Sequence, residues 1–233
     1  MTIAAPQTVF FHAPRSRSSA TLALFEELDV APEIHLLDIE AGTQRHAAYL
    51  AVNPMGKVPA IRHAGVLVTE QPAVMAFLAE LYADKGLAPL TGEPLRGPFL
   101  RWMAFYGACF EPAVLDHAAG RDPLPATQCG YGDYDSVIGL LAEQLGGGPW
   151  LLGERFSAAD VLYGGALRWT LGQRMVPDLP VFRAYAERVT TRPAYQRADA
   201  NGCAVAGAAG GVSAELADSR RGSSGARAAV AAA

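Results

Sequence analysis

Two hydrophobic rhythms share the first 85 residues of this chain, and only one continues beyond them. Thr8-Val9-Phe10-Phe11-His12 is a short apolar run that predicts a buried strand, and Ser18 to Leu28 sets Leu22, Leu24, Phe25 and Leu28 at helical spacing. Glu33 to Ile39 alternates apolar with polar residues, which predicts a second strand, and a helix is expected around Arg45 to Ala51. Val58 to Arg62 and Val66 to Thr69 read as short strands joined at His63-Ala64-Gly65 in a tight hairpin, followed by a helix from Gln71 to Ala83. The order βαβ, then αββα, makes residues 1–85 an α/β unit. Gly, Pro and Thr gather in Lys85 to Glu93, and residues 86–94 read as a linker.

After the linker no strand pattern returns. Leu95 to Ala118 has the period of one long helix, with a kink expected at Pro112. Arg121 to Gly132, rich in Pro and Gly, reads as a loop. Further helices are expected at about Asp133 to Leu145, Ala158 to Gln173, Pro180 to Thr190 and Pro193 to Ala200, so residues 95–203 form an all-helical unit. Ser157 and Asp160 have the spacing of a capping box, and Phe156 could staple onto Val161. From Ala204 to residue 233, Ala, Gly and Ser dominate, and a low-complexity, disordered tail without chemistry is expected.

Composition narrows the function. At 51% apolar over 233 residues the chain can bury a substantial core. A net charge of −4 argues against nucleic acid as a partner. No run approaches the ~18 apolar residues of a membrane span, and Met1 to Gln7 lacks the basic-then-apolar order of a leader, so a cytoplasmic location is expected. Cys109, Cys129 and Cys203 are odd in number with no close pair, which suggests neither a disulfide framework nor a metal cluster. His12, His35, His46, His63 and His117 lack metal spacing, and no metal is expected.

Chemistry concentrates in two segments, Asn53-Pro54-Met55-Gly56-Lys57-Val58-Pro59-Ala60 and Glu70-Gln71-Pro72-Ala73-Val74. Proline is tolerated at the start of a strand, and only before proline is a cis bond affordable. A cis Val58-Pro59 would turn the Val58 amide and carbonyl outward, free to pair with an extended ligand as a strand does. Gly56 and Lys57 would then lie beside that ligand's carboxylate. Pro72 suits the first turn of a helix, whose free amides attract an anion. Gln71 could add a side-chain donor to the same carboxylate, and Glu70 could take an ammonium. The implied ligand is zwitterionic at one end, peptide-like in the middle and anionic at the other, which is the form of glutathione.

At these two segments, and at Phe156-Ser157-Ala158-Ala159-Asp160-Val161-Leu162, the sequence resembles the glutathione transferase superfamily over roughly residues 8 to 200. The resemblance implies an N-terminal thioredoxin-like domain (α/β) followed by an all-helical (all-α) C-terminal substrate domain, a homodimer, and a detoxifying transferase of bacterial type. Such an enzyme joins the glutathione thiolate to small apolar electrophiles, with glutathione as co-substrate. In that family the thiol is activated by Ser, Cys or Tyr from the first strand or the loop after it. This chain has no Tyr before Tyr49 and no Cys before Cys109, which leaves Ala13-Pro14-Arg15-Ser16-Arg17-Ser18-Ser19. Ser16 is the first choice and Ser18 the second, with Arg17 assisting electrostatically. Gln44, Lys57, Val58, Pro59, Glu70 and Gln71 are expected to hold glutathione, although the family more often has Ser where Gln71 stands. Tyr106 and Cys109, one turn apart, are the candidates for the electrophile pocket. The same layout serves glutathione-dependent isomerases, dehalogenases and peroxidases, a non-catalytic binding or interaction protein, or a carrier of apolar ligands.

Overall fold

The computed structural model describes residues 8–121 and 124–201; Cys203 and the tail expected from Ala204 onward lie outside them. Four strands, β1 (Thr8–His12), β2 (Glu33–Leu36), β3 (Ala60–His63) and β4 (Val66–Val68), form one sheet in the order β2-β1-β3-β4. β1 runs parallel to β2 and antiparallel to β3, with Phe10 opposite both Ile34 and Ile61. Being central, β1 is covered on both faces, which explains its unbroken apolar run. Phe10 enters a large cluster with Phe25, Val74 and Leu78, whereas Phe11 joins Leu37, Tyr49 and Ala60 in a small one. The β3–β4 hairpin turns at Ala64 and Gly65, both at positive φ (49° and 82°), as the favoured two-residue turn demands.

Three helices complete this half: α1 (Ser18–Leu28), α2 (Ala47–Leu50) and α3 (Gln71–Leu81). β2 is shorter than its alternation predicts. The Leu37 amide still reaches the His12 carbonyl at 2.8 Å, but β1 then has no residue left to pair, and Thr43 Oγ1 takes the Asp38 amide at 2.7 Å. The helix expected from Arg45 is a 3-10 turn, Thr43–Arg45, and then the single turn of α2.

The second half is helical: α4 (Arg96–Phe105), α5 (Glu111–Ala118), α6 (Tyr134–Gly146), α7 (Ala158–Gly172) and α8 (Pro180–Thr190), with residues 193–201 also helical. The long helix expected from Leu95 is interrupted upstream of Pro112, by a π turn over Tyr106–Phe110. Pro112 has no amide to donate and its ring crowds the carbonyl of Ala108, so the chain widens one turn before the proline.

α7 joins the halves by packing against α1 and α3 on one side and α8 on the other. Its start is the expected capping box: Asp160 Oδ2 accepts the Ser157 amide at 2.8 Å and hydroxyl at 3.1 Å. One hydrophobic cluster runs from Phe10 through Trp102 and Tyr163 to Ala198 without a break between the halves. The architecture is a thioredoxin-like sheet-and-helix layer followed by a helical bundle.

Candidate functional site

A cavity of about 1100 Å³ opens between the sheet layer and the bundle. Its walls carry Arg15, Arg17, Arg45, Lys57 and Arg168 against only Glu111 and Asp199 among charged side chains. In a chain of net charge −4 this is a local excess of positive charge, which focuses an anionic ligand into the cleft. Among the described residues no group of His, Cys, Asp and Glu is arranged to hold a metal.

The loop from β1 to α1 supplies the hydroxyls. Ser16, half-buried, lies on the cavity wall. Ser18, the first residue of α1, is fully buried and off that wall. The two oxygens are 2.7 Å apart, and Ser18 Oγ is in turn 2.7 Å from Nδ1 of His12, the last residue of β1. Ser16 donates to the Ala13 carbonyl at 2.7 Å and accepts the Ser18 amide at 3.1 Å, while Ser18 Oγ accepts the Ala13 amide at 3.1 Å. Burial pushes the His12 imidazole down to about 4, so it is neutral at physiological pH. In the sequence His12 carries one signal of this contact, its place at the end of the first strand directly before the hydroxyl loop; its lack of metal spacing says nothing of it.

The second wall is the segment before β3. Val58-Pro59 is cis. Tyr49 Oη donates to the Lys57 carbonyl at 2.7 Å and Asn53 Nδ2 to the same oxygen at 2.9 Å, so two buried side chains fix the backbone that carries Lys57 and Val58 to the cavity. Gly56, at φ 60°, is there because a β-carbon would stand 2.8 Å from the Gln44 carbonyl oxygen. Lys57 is exposed and makes no ion pair among the described residues, which leaves its charge for a ligand. Pro59 is buried and off the cavity wall.

The third wall is the start of α3. Gln71 is buried and donates its amide nitrogen to the Arg17 carbonyl at 2.7 Å, tying the starts of α3 and α1 together. That donor, expected to serve a ligand carboxylate, is therefore engaged within the protein. What Gln71 leaves unpartnered among the described residues is its acceptor Oε1. Glu70 caps α3 at φ 64°, is exposed, and stands off the cavity wall. Gln44 lies on the wall, with its Oε1 buried and without a partner among the described residues. Residues at the starts of two helices, Arg17 and Ser19 at α1 and Gln71 at α3, line this region, where the helix dipoles place partial positive charge.

The bundle provides an apolar side from Tyr106, Phe110, Val114, Leu162 and Trp169. Tyr106 is buried on that wall, and burial raises its phenol far above the ordinary value, so it is a neutral hydroxyl. Cys109 is half-buried but not on the cavity, because the π turn inserts a residue and carries Cys109 away from the Tyr106 face. Two features went unread in the sequence. Glu111, the first residue of α5, forms an ion pair with Arg17 across the cleft, and the Arg17 guanidinium stands 6.0 Å from the centre of the half-exposed Trp169 ring. The cleft thus offers a hydroxyl between helix starts, cations for an anionic ligand, and a dry wall opposite.

The family profile for the glutathione S-transferase N-terminal domain matches residues 16–81, and that for the C-terminal domain matches residues 112–188. A glutathione S-transferase of Hyoscyamus muticus is 23% identical over 197 residues, covering 76% of this chain and 90% of the relative. One of Escherichia coli O157:H7 is 26% identical over 152 residues, covering 64% and 76%. Among solved structures, a glutathione transferase from Methylococcus capsulatus is 29% identical with a TM-score of 0.70, covering 84% of this chain and 98% of that one. A sphingomonad glutathione S-transferase complexed with glutathione is 28% identical with a TM-score of 0.69, covering 83% and 98%.

Proposed function

This chain belongs to the glutathione transferase superfamily, and from that premise we propose that it binds glutathione and joins its thiolate to small apolar electrophiles. The observation that carries the reading is the position of Ser16: its hydroxyl lies on a cavity whose one side is cationic and whose other side is apolar. Arg17, Gln44, Lys57, Val58 and Gln71 line the glutathione side, with exposed Glu70 and buried Pro59 next to Gln71 and Val58 in the chain. Tyr106 lines the electrophile side.

Free glutathione has a thiol pKa near ~8.5, so about 3% is thiolate at neutral pH. A shift of ~2 units ionises most of it and corresponds to roughly 2.7 kcal/mol of preferential thiolate stabilisation. The Ser16 hydroxyl donates to the sulfur in place of its bond to Ala13, and the positive end of the α1 dipole and the Arg17 charge add to it. The thiol proton leaves to solvent. The thiolate attacks the electrophilic carbon, and a C–S bond forms as the leaving group departs or the acceptor bond takes the electron pair. Ser18, the second candidate, acts from behind Ser16. The protein works in the cytoplasm as a homodimer; exposed Leu81 on α3 and Leu100 on the adjoining α4 offer apolar surface for that contact.

A second reading has one observation in its favour. With the Gln71 donor spent on Arg17, the ligand's carboxylate loses a side-chain partner, which suits a protein that keeps the fold as a binding platform. Titrating the purified protein with glutathione, following heat and ultraviolet thiolate absorbance across a pH series, separates the two. Saturable binding with the thiol ionising well below its free value supports the transferase. Binding with an unshifted thiol, or no binding at all, demotes the transferase and moves the platform to the front.

A further inference from the structure

We propose that His12 is a positioning residue that, acting through Ser18, turns the hydroxyl hydrogen of Ser16 into the cavity. The inference deepens the functional reading above and rests on it for the identity of the ligand. It begins from an accounting of protons along three groups in contact: His12 Nδ1 to Ser18 Oγ at 2.7 Å, and Ser18 Oγ to Ser16 Oγ at 2.7 Å.

The imidazole fixes one end. His12 is 1% exposed, and its Nε2 is buried with no hydrogen-bond partner among the described residues. The neutral ring carries one proton. On Nε2 that proton would be a buried donor without an acceptor, whereas on Nδ1 it meets the Ser18 oxygen. The protein therefore holds the Nδ1–H tautomer, and His12 donates to Ser18.

Ser18 Oγ then receives two hydrogens, from His12 Nδ1 and from the Ala13 amide at 3.1 Å, which fill its two lone pairs. Its own hydrogen has two acceptors in reach: the Ala13 carbonyl at 3.0 Å and Ser16 Oγ at 2.7 Å. The shorter contact leads to Ser16. Ser16 Oγ, given that hydrogen and the Ser18 amide at 3.1 Å, is likewise filled as an acceptor and must donate outward. In this structure it donates to the Ala13 carbonyl. With a thiolate in the cavity the hydrogen swings from the Ala13 carbonyl to sulfur, while the single Ser18 hydrogen stays on Ser16 Oγ. Every hydrogen in the row then points the same way, from ring to hydroxyl to hydroxyl to sulfur, and each bond polarises the next. His12 never touches the ligand and gives up no proton; it sets the direction of the row.

The test has a part without ligand and a part with it. In the free protein, imidazole nitrogen shifts of ¹⁵N-labelled protein should show His12 as the Nδ1–H tautomer. In the second part, His12→Phe keeps a ring beside Phe10 but removes the donor, Ser18→Ala breaks the row, and His12→Asn returns an N–H near the Nδ1 position. With folding checked by circular dichroism, the bound glutathione thiol should rise by about one pKa unit in His12→Phe and in Ser18→Ala, and His12→Asn should recover most of it. Affinity for S-methylglutathione, which has no ionisable thiol, should stay within about twofold in all three, since nothing but the thiol contact is altered. A folded His12→Phe or Ser18→Ala with an unmoved thiol overturns the proposal, as does an Nε2–H tautomer. If the wild-type protein fails to depress the thiol at all, the transferase reading falls, and the tautomer alone then decides whether the row is wired as described.

Discussion

Gly164 of α7 and Val189 of α8 meet backbone against side chain: a β-carbon on Gly164 would stand 2.4 Å from both Cβ and Cγ1 of Val189. Val189 is fully buried and has no room to step aside. Glycine is required here by the separation of two helices, and α7 is the helix that also carries the cavity's Leu162 and Trp169. Gly164→Ala should cost about 1–3 kcal/mol through overpacking. The check is a urea transition with a lower midpoint and an unchanged slope; an unmoved midpoint would mean that the helices are not so closely apposed.

Asp160 accepts four hydrogen bonds while completely buried: from the Leu151 amide at 2.8 Å, the Tyr185 hydroxyl at 2.8 Å, the Ser157 amide at 2.8 Å and the Ser157 hydroxyl at 3.1 Å. Burial raises its pKa and these donors oppose the rise. Asp160→Asn turns an N–H toward donors that need an acceptor and should lose about 2–4 kcal/mol. Tyr185→Phe removes one donor and leaves three, and should lose about 1 kcal/mol. Thermal unfolding of the two variants beside wild type gives the ranking, and equal losses would contradict the shared-acceptor account.

The sequence made some of this legible and hid the rest for identifiable reasons. β1, α1 and α8 lie where their patterns place them, because each has a clear period and a clear stop. The π turn at Tyr106–Phe110 was invisible, since Trp102, Phe105, Tyr106, Cys109 and Phe110 read as one continuous helical stripe whether or not a residue is inserted. That insertion is also why Cys109 leaves the cavity and Tyr106 stays on it. In the loop before α1 no period exists, so nothing in the spacing distinguishes Ser16 on the wall from Ser18 beneath it. The Arg17–Glu111 pair joins residues 94 apart in sequence, beyond the reach of any local pattern.

Stability should depend on pH through His12. Its folded pKa is lowered from 6.5 to about 4 by burial, so below 6.5 the unfolded chain takes up a proton that the folded protein refuses. This contribution is fully present above pH 6.5 and is lost as the pH falls toward 4, amounting to about 3 kcal/mol across that window. Carboxylates titrate in the lower part of the same range, so the useful measurement is a difference. Urea stability of wild type minus that of His12→Phe should shrink as the pH is lowered from 7 to about 4.5, and a pH-independent difference would refute the buried neutral ring.

Ser16 and Lys57 line the same cavity, and the proposed mechanism assigns them different free energies. Lys57 meets a charge that the ligand carries before, during and after reaction, so Lys57→Ala should weaken glutathione binding by about tenfold, ~1.4 kcal/mol, with little change in kcat. Because Lys57 is exposed, that loss should narrow as salt is added. Ser16 meets the sulfur, whose charge is what the site must stabilise, so Ser16→Ala should lower the conjugation rate by one or more orders of magnitude and leave the affinity for glutathione nearly unchanged. The two variants together make a stronger test than either alone: a site that merely holds glutathione would lose affinity in both, while one that activates it separates them into a binding defect and a rate defect. Raising the pH adds a further condition, because bulk ionisation of the thiol replaces what the hydroxyl supplied. The Ser16→Ala deficit should therefore close as the pH approaches ~8.5, whereas the Lys57→Ala deficit should not.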